Sequence, residues 1–142
     1  MPHDNPTTEE LRALLTTTKT IAVVGASSRP ERPSHGIMHR LLDLGYRVLP
    51  VNPNEREVLG QTSYRSLIDI REPIDIVDVF RRSEFTPPIA DEAVAIGAKA
   101  LWLQSGVTSE EAARRAKAGG LMVIMDACIA VVHARLRIGA RR

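Results

Sequence analysis

Between Thr20 and Gly36 the chain sets out residue types suited to holding an anion. An apolar run, Ile21-Ala22-Val23-Val24, gives way to Gly25-Ala26-Ser27-Ser28 and then to Arg29-Pro30-Glu31-Arg32-Pro33-Ser34. The order suggests a strand, a tight small-residue turn and a helix start. In that arrangement unpaired backbone N–H groups and the positive end of the helix dipole converge on one spot, which makes a phosphate cradle. Arg29 and Arg32 add planar guanidinium groups that suit phosphate. The loop departs from the dinucleotide fingerprint G-x-G-x-x-G, because the next glycine after Gly25 is Gly36. No G-K-[ST] sequence is present, so this is not a P-loop. Loops of small residues also follow strands in α/β domains that bind nothing there. Arg29 and Arg32 can equally be solvated loop charges, so other residues must decide.

The second strand narrows the choice. NAD-binding domains place Asp or Glu near its end, where the carboxylate grips the ribose hydroxyls. This chain has Val51-Asn52-Pro53 instead. Without an acid there, a ribose phosphate meets no like-charge repulsion. Loop and strand together point to an adenine nucleotide with a diphosphate and an extra ribose phosphate. Coenzyme A and NADP both answer that description.

Other reactive side chains offer less. His35 and His39 stand at i, i+4 spacing, which could hold a metal. No third ligand follows, and His-Gly-Ile-Met-His is not H-E-x-x-H, so surface or loop-packing histidines are expected and no metal site. His133, inside an apolar run, is expected in the core.

The elements that must position the loop are legible as apolar runs: Ile21–Val24, Tyr46–Val51, Ile74–Phe80, Ala100–Leu103 and Leu121–Met125. Most are continuous rather than alternating, as in parallel strands covered on both faces. Helices fall between them. Thr7 with Glu10 predicts a capping box, and so does Thr108 with Glu111. Ser34 is the expected N-cap of a helix over His35–Leu44 that stops at Gly45. Thr86-Pro87 opens another helix ending at Gly97, and the last runs from about Cys128 toward Ile138. The alternation predicts an α/β, Rossmann-like fold: about five parallel strands with helices on both faces and right-handed crossovers. Asn52–Pro73 is the one long irregular piece, with a short helix expected around Ser66–Ile70.

The 142 residues suit a single domain over 1–142, with 1–6 and 139–142 flexible. A net charge of +2 lacks the concentrated basic stripe of nucleic-acid binders. Aromatic residues make up only 4%, which argues against base stacking. No apolar run is long enough for a membrane span. One cysteine excludes an internal disulfide, and Met1–Glu10 carries no signal-peptide core. A reducing cytoplasm is the expected location.

Motifs spread along most of the chain, from about Leu11 to Leu136, carry a family resemblance. They are Val24-Gly25-Ala26-Ser27 with Arg32-Pro33-Ser34; Tyr46 to Pro53; Glu57-Val58-Leu59-Gly60; and Ile76-Val77-Asp78-Val79-Phe80-Arg81. Gly97-Ala98-Lys99, Leu101-Trp102-Leu103-Gln104, and Cys128 with His133 complete the set. The chain resembles the small stand-alone CoA-binding proteins, which are similar to the N-terminal domain of the succinyl-CoA synthetase alpha subunit.

The resemblance implies coenzyme A bound across the strand ends. Gly25, Ala26, Ser27 and Ser34 would hold the diphosphate, and Arg29 or Arg32 would face phosphate. Asn52 and Pro53 would pack near the adenosine end. Val79, Phe80 and Arg81 would line the groove, and Gln104 and Ser105 would approach the pantetheine. Two positions depart from the family pattern. Ala127 stands where relatives commonly have Arg, and Val132 where many have Glu, so any polar cluster those groups form is incomplete here. The synthetase's phosphorylated histidine belongs to a later domain, so no catalytic residue is expected. Cys128 is expected as a buried structural cysteine, with disulfide exchange toward the CoA thiol as the alternative. The functional reading is a non-catalytic module that binds CoA or acyl-CoA, without nucleic acid or membrane partners. An NADP-linked oxidoreductase or a CoA-ligase-like subunit needing a partner is the alternative. An exposed terminal helix could support a homodimer.

Overall fold

The continuous apolar runs become strands buried along their length. β1 (Thr20–Val24), β5 (Ile76–Val79) and β6 (Ala100–Leu103) bury every residue. The computed structural model describes residues 2–140. In chain order the remaining elements are α1 (Thr8–Thr17), α2 (Pro33–Asp43), β2 (Arg47–Val51), β3 (Glu57–Val58), β4 (Gln61–Thr62), α3 (Thr86–Ala95), α4 (Glu110–Ala118), β7 (Met122–Ile124) and α5 (Ile129–Arg135).

Five strands form one parallel sheet in the order β2-β1-β5-β6-β7. The fold is the expected Rossmann-like α/β sheet. Alternate residues along each strand feed two separate cores. Val77, Val79, Leu101 and Leu103 pack with alanines of α3 and α4, namely Ala90, Ala93, Ala112, Ala113 and Ala116. Ile21, Val23, Ile76, Trp102 and Ile124 pack with Leu14 and Leu15 of α1, Met38 and Leu41 of α2, and Ile129 of α5. Helices therefore cover both faces. The chain leaves β1 toward one face and β5 toward the other. These neighbouring strands make the switch point at which such sheets open a crevice.

Local chemistry sets several boundaries. The Thr7 hydroxyl accepts from the Glu10 N–H, and the Glu10 carboxylate accepts from the Thr7 N–H, closing the expected capping box. α2 begins one residue before the expected cap. Pro33, whose fixed φ suits the first helical position, opens it, and Ser34 lies inside the first turn and is buried. α4 is capped by Ser109, whose hydroxyl accepts from the Ala112 N–H at 3.0 Å. The Thr108 box does not form, because the Thr108 N–H donates to Ser83 Oγ at 3.0 Å.

The stretch expected to be irregular contains a small antiparallel hairpin, β3–β4. It turns at Leu59 and Gly60, with φ of 50° and 78°, the left-handed pair that a mirror-type turn needs. Two-residue strands are too short to show alternation in sequence. The short helix expected nearby is a 3-10 turn over Leu67–Asp69. At the N-terminus, expected to be loose, Asn5 bonds both backbone groups of Met125, at 3.0 and 2.9 Å. Met1 and the Arg141-Arg142 tail lie outside the described residues.

Candidate functional site

A groove of about 810 Å³ lies beyond the carboxyl ends of the strands, against the starts of α2 and α5. Its floor is set at the switch point. The Gly25 N–H donates to Val51 O at 2.8 Å, and the Phe80 N–H donates to Val24 O at 2.8 Å. The three strand ends are thereby laced together. Gly25 has φ of +86°, and a Cβ there would stand 2.7 Å from Phe80 O and 3.2 Å from Arg81 Cδ. Only glycine lets the loop cross this close to the end of β5.

Loop residues Gly25, Ser27, Arg29, Arg32 and Ser34 all line the groove, at and just before the N-terminus of α2. The Ser27 hydroxyl accepts from the Arg29 N–H at 3.1 Å, which curls the loop. Asn52, Phe80, Arg81, Gln104 and Ser105 line it as well. Three predicted residues do not. Ala26 and Val79 are fully buried in the two cores, and Pro53 is exposed outside the lining. Their side chains therefore do not face the groove. Ala26 packs in the core under α1, α2 and α5, Val79 in the core under α3 and α4, and Pro53 sits in the turn that leaves β2.

Asn52 has a bracing role in the fold. Its Nδ2 donates to Ala26 O at 2.8 Å, and its Oδ1 accepts from the Asn54 N–H at 2.9 Å. It ties the end of β2 to the phosphate-type loop. The missing acid at this strand end has a near substitute that the sequence reading passed over. Glu55 Oε2 accepts from the Ser28 N–H at 2.7 Å. That backbone bond, aided by Arg29, holds the Glu55 carboxyl below the usual range. A carboxylate thus already occupies one N–H of the loop.

Pro33, Ile37, Asn54, Arg82, Gly106 and Val107 also line the groove, beyond the residues named one by one from the sequence, and of these only Ile37 and Asn54 lie outside the segments expected at the strand ends. For Arg82 the signal was present, since it follows Arg81 directly at the end of β5. Among the described residues no ion pair engages Arg29, Arg32, Arg81 or Arg82. Arg81 lies over the Phe85 ring, 5.6 Å from its centroid. The far end of the groove is the turn Gln104–Val107, closed by the Val107 N–H on Gln104 O at 2.9 Å. Asp126 braces it by accepting from the Gly106 N–H at 2.7 Å.

Cys128 also lines the groove and is half-buried, so it is not the buried structural thiol expected. His133 is buried, as expected of a core residue. It meets the Tyr46 ring edge-on at 6.0 Å, and burial lowers its pKa, with Arg40 contributing. His39 pairs with Asp43 at 3.2 Å. Among the described residues no group of three or more His, Cys, Asp or Glu is placed to hold a metal. Among them, too, no helix is long and apolar enough to cross a membrane.

The parallel sheet and its switch-point groove define the Rossmann-like α/β class. Comparison with known proteins narrows it: a family model described as CoA binding domain matches residues 19–134, and this chain belongs to that family. It is 47% identical over 130 residues to the uncharacterized protein YneT of Bacillus subtilis, covering 92% of this chain and 96% of that one. A solved structure, a hypothetical protein from Pyrococcus horikoshii, superposes with a TM-score of 0.92 at 40% identity, covering 97% of both chains. The ADP-forming acetate–CoA ligase of Methanocaldococcus jannaschii is 23% identical over 130 residues. That match covers 86% of this chain and 18% of the ligase, so this chain corresponds to under a fifth of that enzyme. The family named from the motifs is thus the family found, and its relation is to succinyl-CoA synthetase-like ligases.

Proposed function

We propose that this chain binds coenzyme A or an acyl-CoA in the groove and is a binding or regulatory module without catalysis of its own. The observation that carries the reading is the cationic rim: four guanidinium groups, none in an ion pair among the described residues, around a phosphate-type loop at the end of a core-packed sheet. A ligand with a diphosphate and a ribose phosphate matches that excess of positive charge. The diphosphate would sit on Gly25, Ser27 and Ser34 at the start of α2, with Arg29 or Arg32 on phosphate. The pantetheine would run past Phe80 and Arg81 toward Gln104 and Ser105. Asn52 acts in this scheme by bracing the loop.

Among the described residues the lining holds no imidazole or carboxylate, and the Cys128 thiol is its one sulfur nucleophile. A ligase-like subunit is the second reading, favoured by the acetate–CoA ligase relative. It predicts acyl-CoA chemistry only when the remaining ligase parts are supplied. A thermal-shift panel of CoA, acetyl-CoA, NAD and NADP tests the ligand. A ligand at 100 times its Kd adds about 2.7 kcal/mol of stability. Stabilisation by CoA or acetyl-CoA is expected. Stabilisation by NADP and not by CoA overturns the proposal.

A further inference from the structure

Asp78 is fully buried in β5, the central strand of the sheet. Its partners in register are Val23 on β1 and Trp102 on β6, both apolar. Among the described residues one hydrogen bond reaches its carboxyl: the Gln104 carboxamide donates through Nε2 to Oδ1. Two oxygens remain, Asp78 Oδ2 and Gln104 Oε1, both buried and without partners. A carboxamide that donates to a carboxyl through the N–H on the side of its own oxygen brings that oxygen toward the carboxyl's second oxygen. Two acceptors placed so repel unless a proton lies between them. Gln104 itself lines the groove, so this pair is built directly under it.

We propose that Asp78 carries a proton at neutral pH and donates it from Oδ2 to Gln104 Oε1. The resulting cyclic acid–amide pair positions Gln104 in the groove, and its loss weakens binding of polyanionic ligands. Asp78 is a positioning residue in this account. The ligand half rests on the coenzyme A reading, and the proton half stands without it.

Charges on the packed elements do not explain the site. Of the helices on that face, α1 carries Glu9, Glu10 and Arg12, α2 carries His35, His39, Arg40 and Asp43, and α5 carries His133 and Arg135 with Cys128 at its N-cap. None of them shifts the Asp78 carboxyl. Burial pushes its pKa up to about 8, with the Gln104 bond opposing. An unfolded aspartate ionises near pH ~3.9, so folding takes up a proton between that pH and about 8. The stabilising contribution is full below the unfolded value, declines as pH rises and is gone above the folded one. His133 does not mimic this, because its pKa is lowered from 6.5.

Asp78→Asn tests the pair, since an N–H replaces the O–H and keeps both bonds with nothing to titrate. Melting temperatures of wild type and Asp78→Asn are compared from about pH 5 to 9.5, in a Cys128→Ser background that removes the thiol. The difference should move steadily in favour of Asp78→Asn up to about pH 8 and then level. A difference constant with pH overturns the proton. Infrared spectroscopy of the wild type needs no variant. The carbonyl stretch of a buried protonated acid should be present at neutral pH and lost in alkali, and its absence at neutral pH overturns the proton as well. Calorimetry with acetyl-CoA, which has no free thiol, reads the ligand half. Wild-type affinity should fall on the order of tenfold between pH 7 and 9.5 as a buried charge appears under the polyanion, while Asp78→Asn stays level. Equal losses in both proteins overturn the ligand half. No acetyl-CoA binding at any pH sinks the coenzyme A reading and the ligand half with it, leaving the proton half to be decided by melting and infrared.

Discussion

Gly25→Ala isolates the close crossing on which the groove depends. Two costs add. The φ of +86° forces alanine into a left-handed conformation, and left-handed backbone costs an L-residue about 1–2 kcal/mol. The new Cβ would lie 2.7 Å from Phe80 O, a backbone atom that moves only with the end of β5. Overpacking of this kind costs about 1–3 kcal/mol. The sum, about 2–5 kcal/mol, is a large share of a small domain's stability. Gly36→Ala is the internal control. Gly36 lies in α2, and a Cβ there meets nothing within 4 Å. Alanine should stabilise the helix by about 0.5–1 kcal/mol. Urea unfolding followed by fluorescence of the buried Trp102 measures both variants. Where Gly25→Ala still folds, the displaced Phe80–Arg81 segment should abolish stabilisation by CoA, and Gly36→Ala should leave it intact. Opposite signs for the two glycines are expected. A Gly25→Ala protein as stable as its parent, with CoA stabilisation intact, would refute the packing argument.

Other expectations concern the groove's charge and reach. Arg29→Ala combined with Arg32→Ala should weaken CoA binding by about 1–3 kcal/mol, the worth of a charge-assisted bond, and unchanged affinity by calorimetry would remove both from the site. Glu55→Gln should tighten CoA binding, because the Glu55 carboxylate competes for the Ser28 N–H and is ionised throughout the neutral range. Weaker binding would show that it orders the loop instead. Saturating CoA should slow alkylation of Cys128 by iodoacetamide, read by mass spectrometry, and an unaltered rate would mean that the ligand does not reach that end of the groove.

What the sequence showed depended on how local each signal was. The five strands were readable because parallel strands buried on both faces must be apolar throughout. The loop Gly25–Ser34 was readable because glycine, small residues and arginine follow one strand directly. Ala26 and Val79 adjoin lining residues in sequence, yet both side chains are buried in the helix-covered cores, because adjacency to the site does not fix where a side chain packs. Ile37 and Asn54 lie outside the segments expected at the strand ends, and join the lining only through the start of α2 and the turn after β2. Glu55 on the Ser28 N–H and Gln104 on Asp78 are contacts across 27 and 26 residues, which no spacing rule exposes. Asp78 looked like one polar letter in an apolar strand, and its meaning appears only with the Gln104 carboxamide beside it.

The central claim is that the groove is a coenzyme A site. Isothermal titration of CoA into the chain, with NADP titrated in parallel, tests it most directly. Saturable one-to-one binding of CoA is expected, with none in Gly25→Ala and little or none for NADP. No binding of CoA, or binding of NADP in its place, would contradict it.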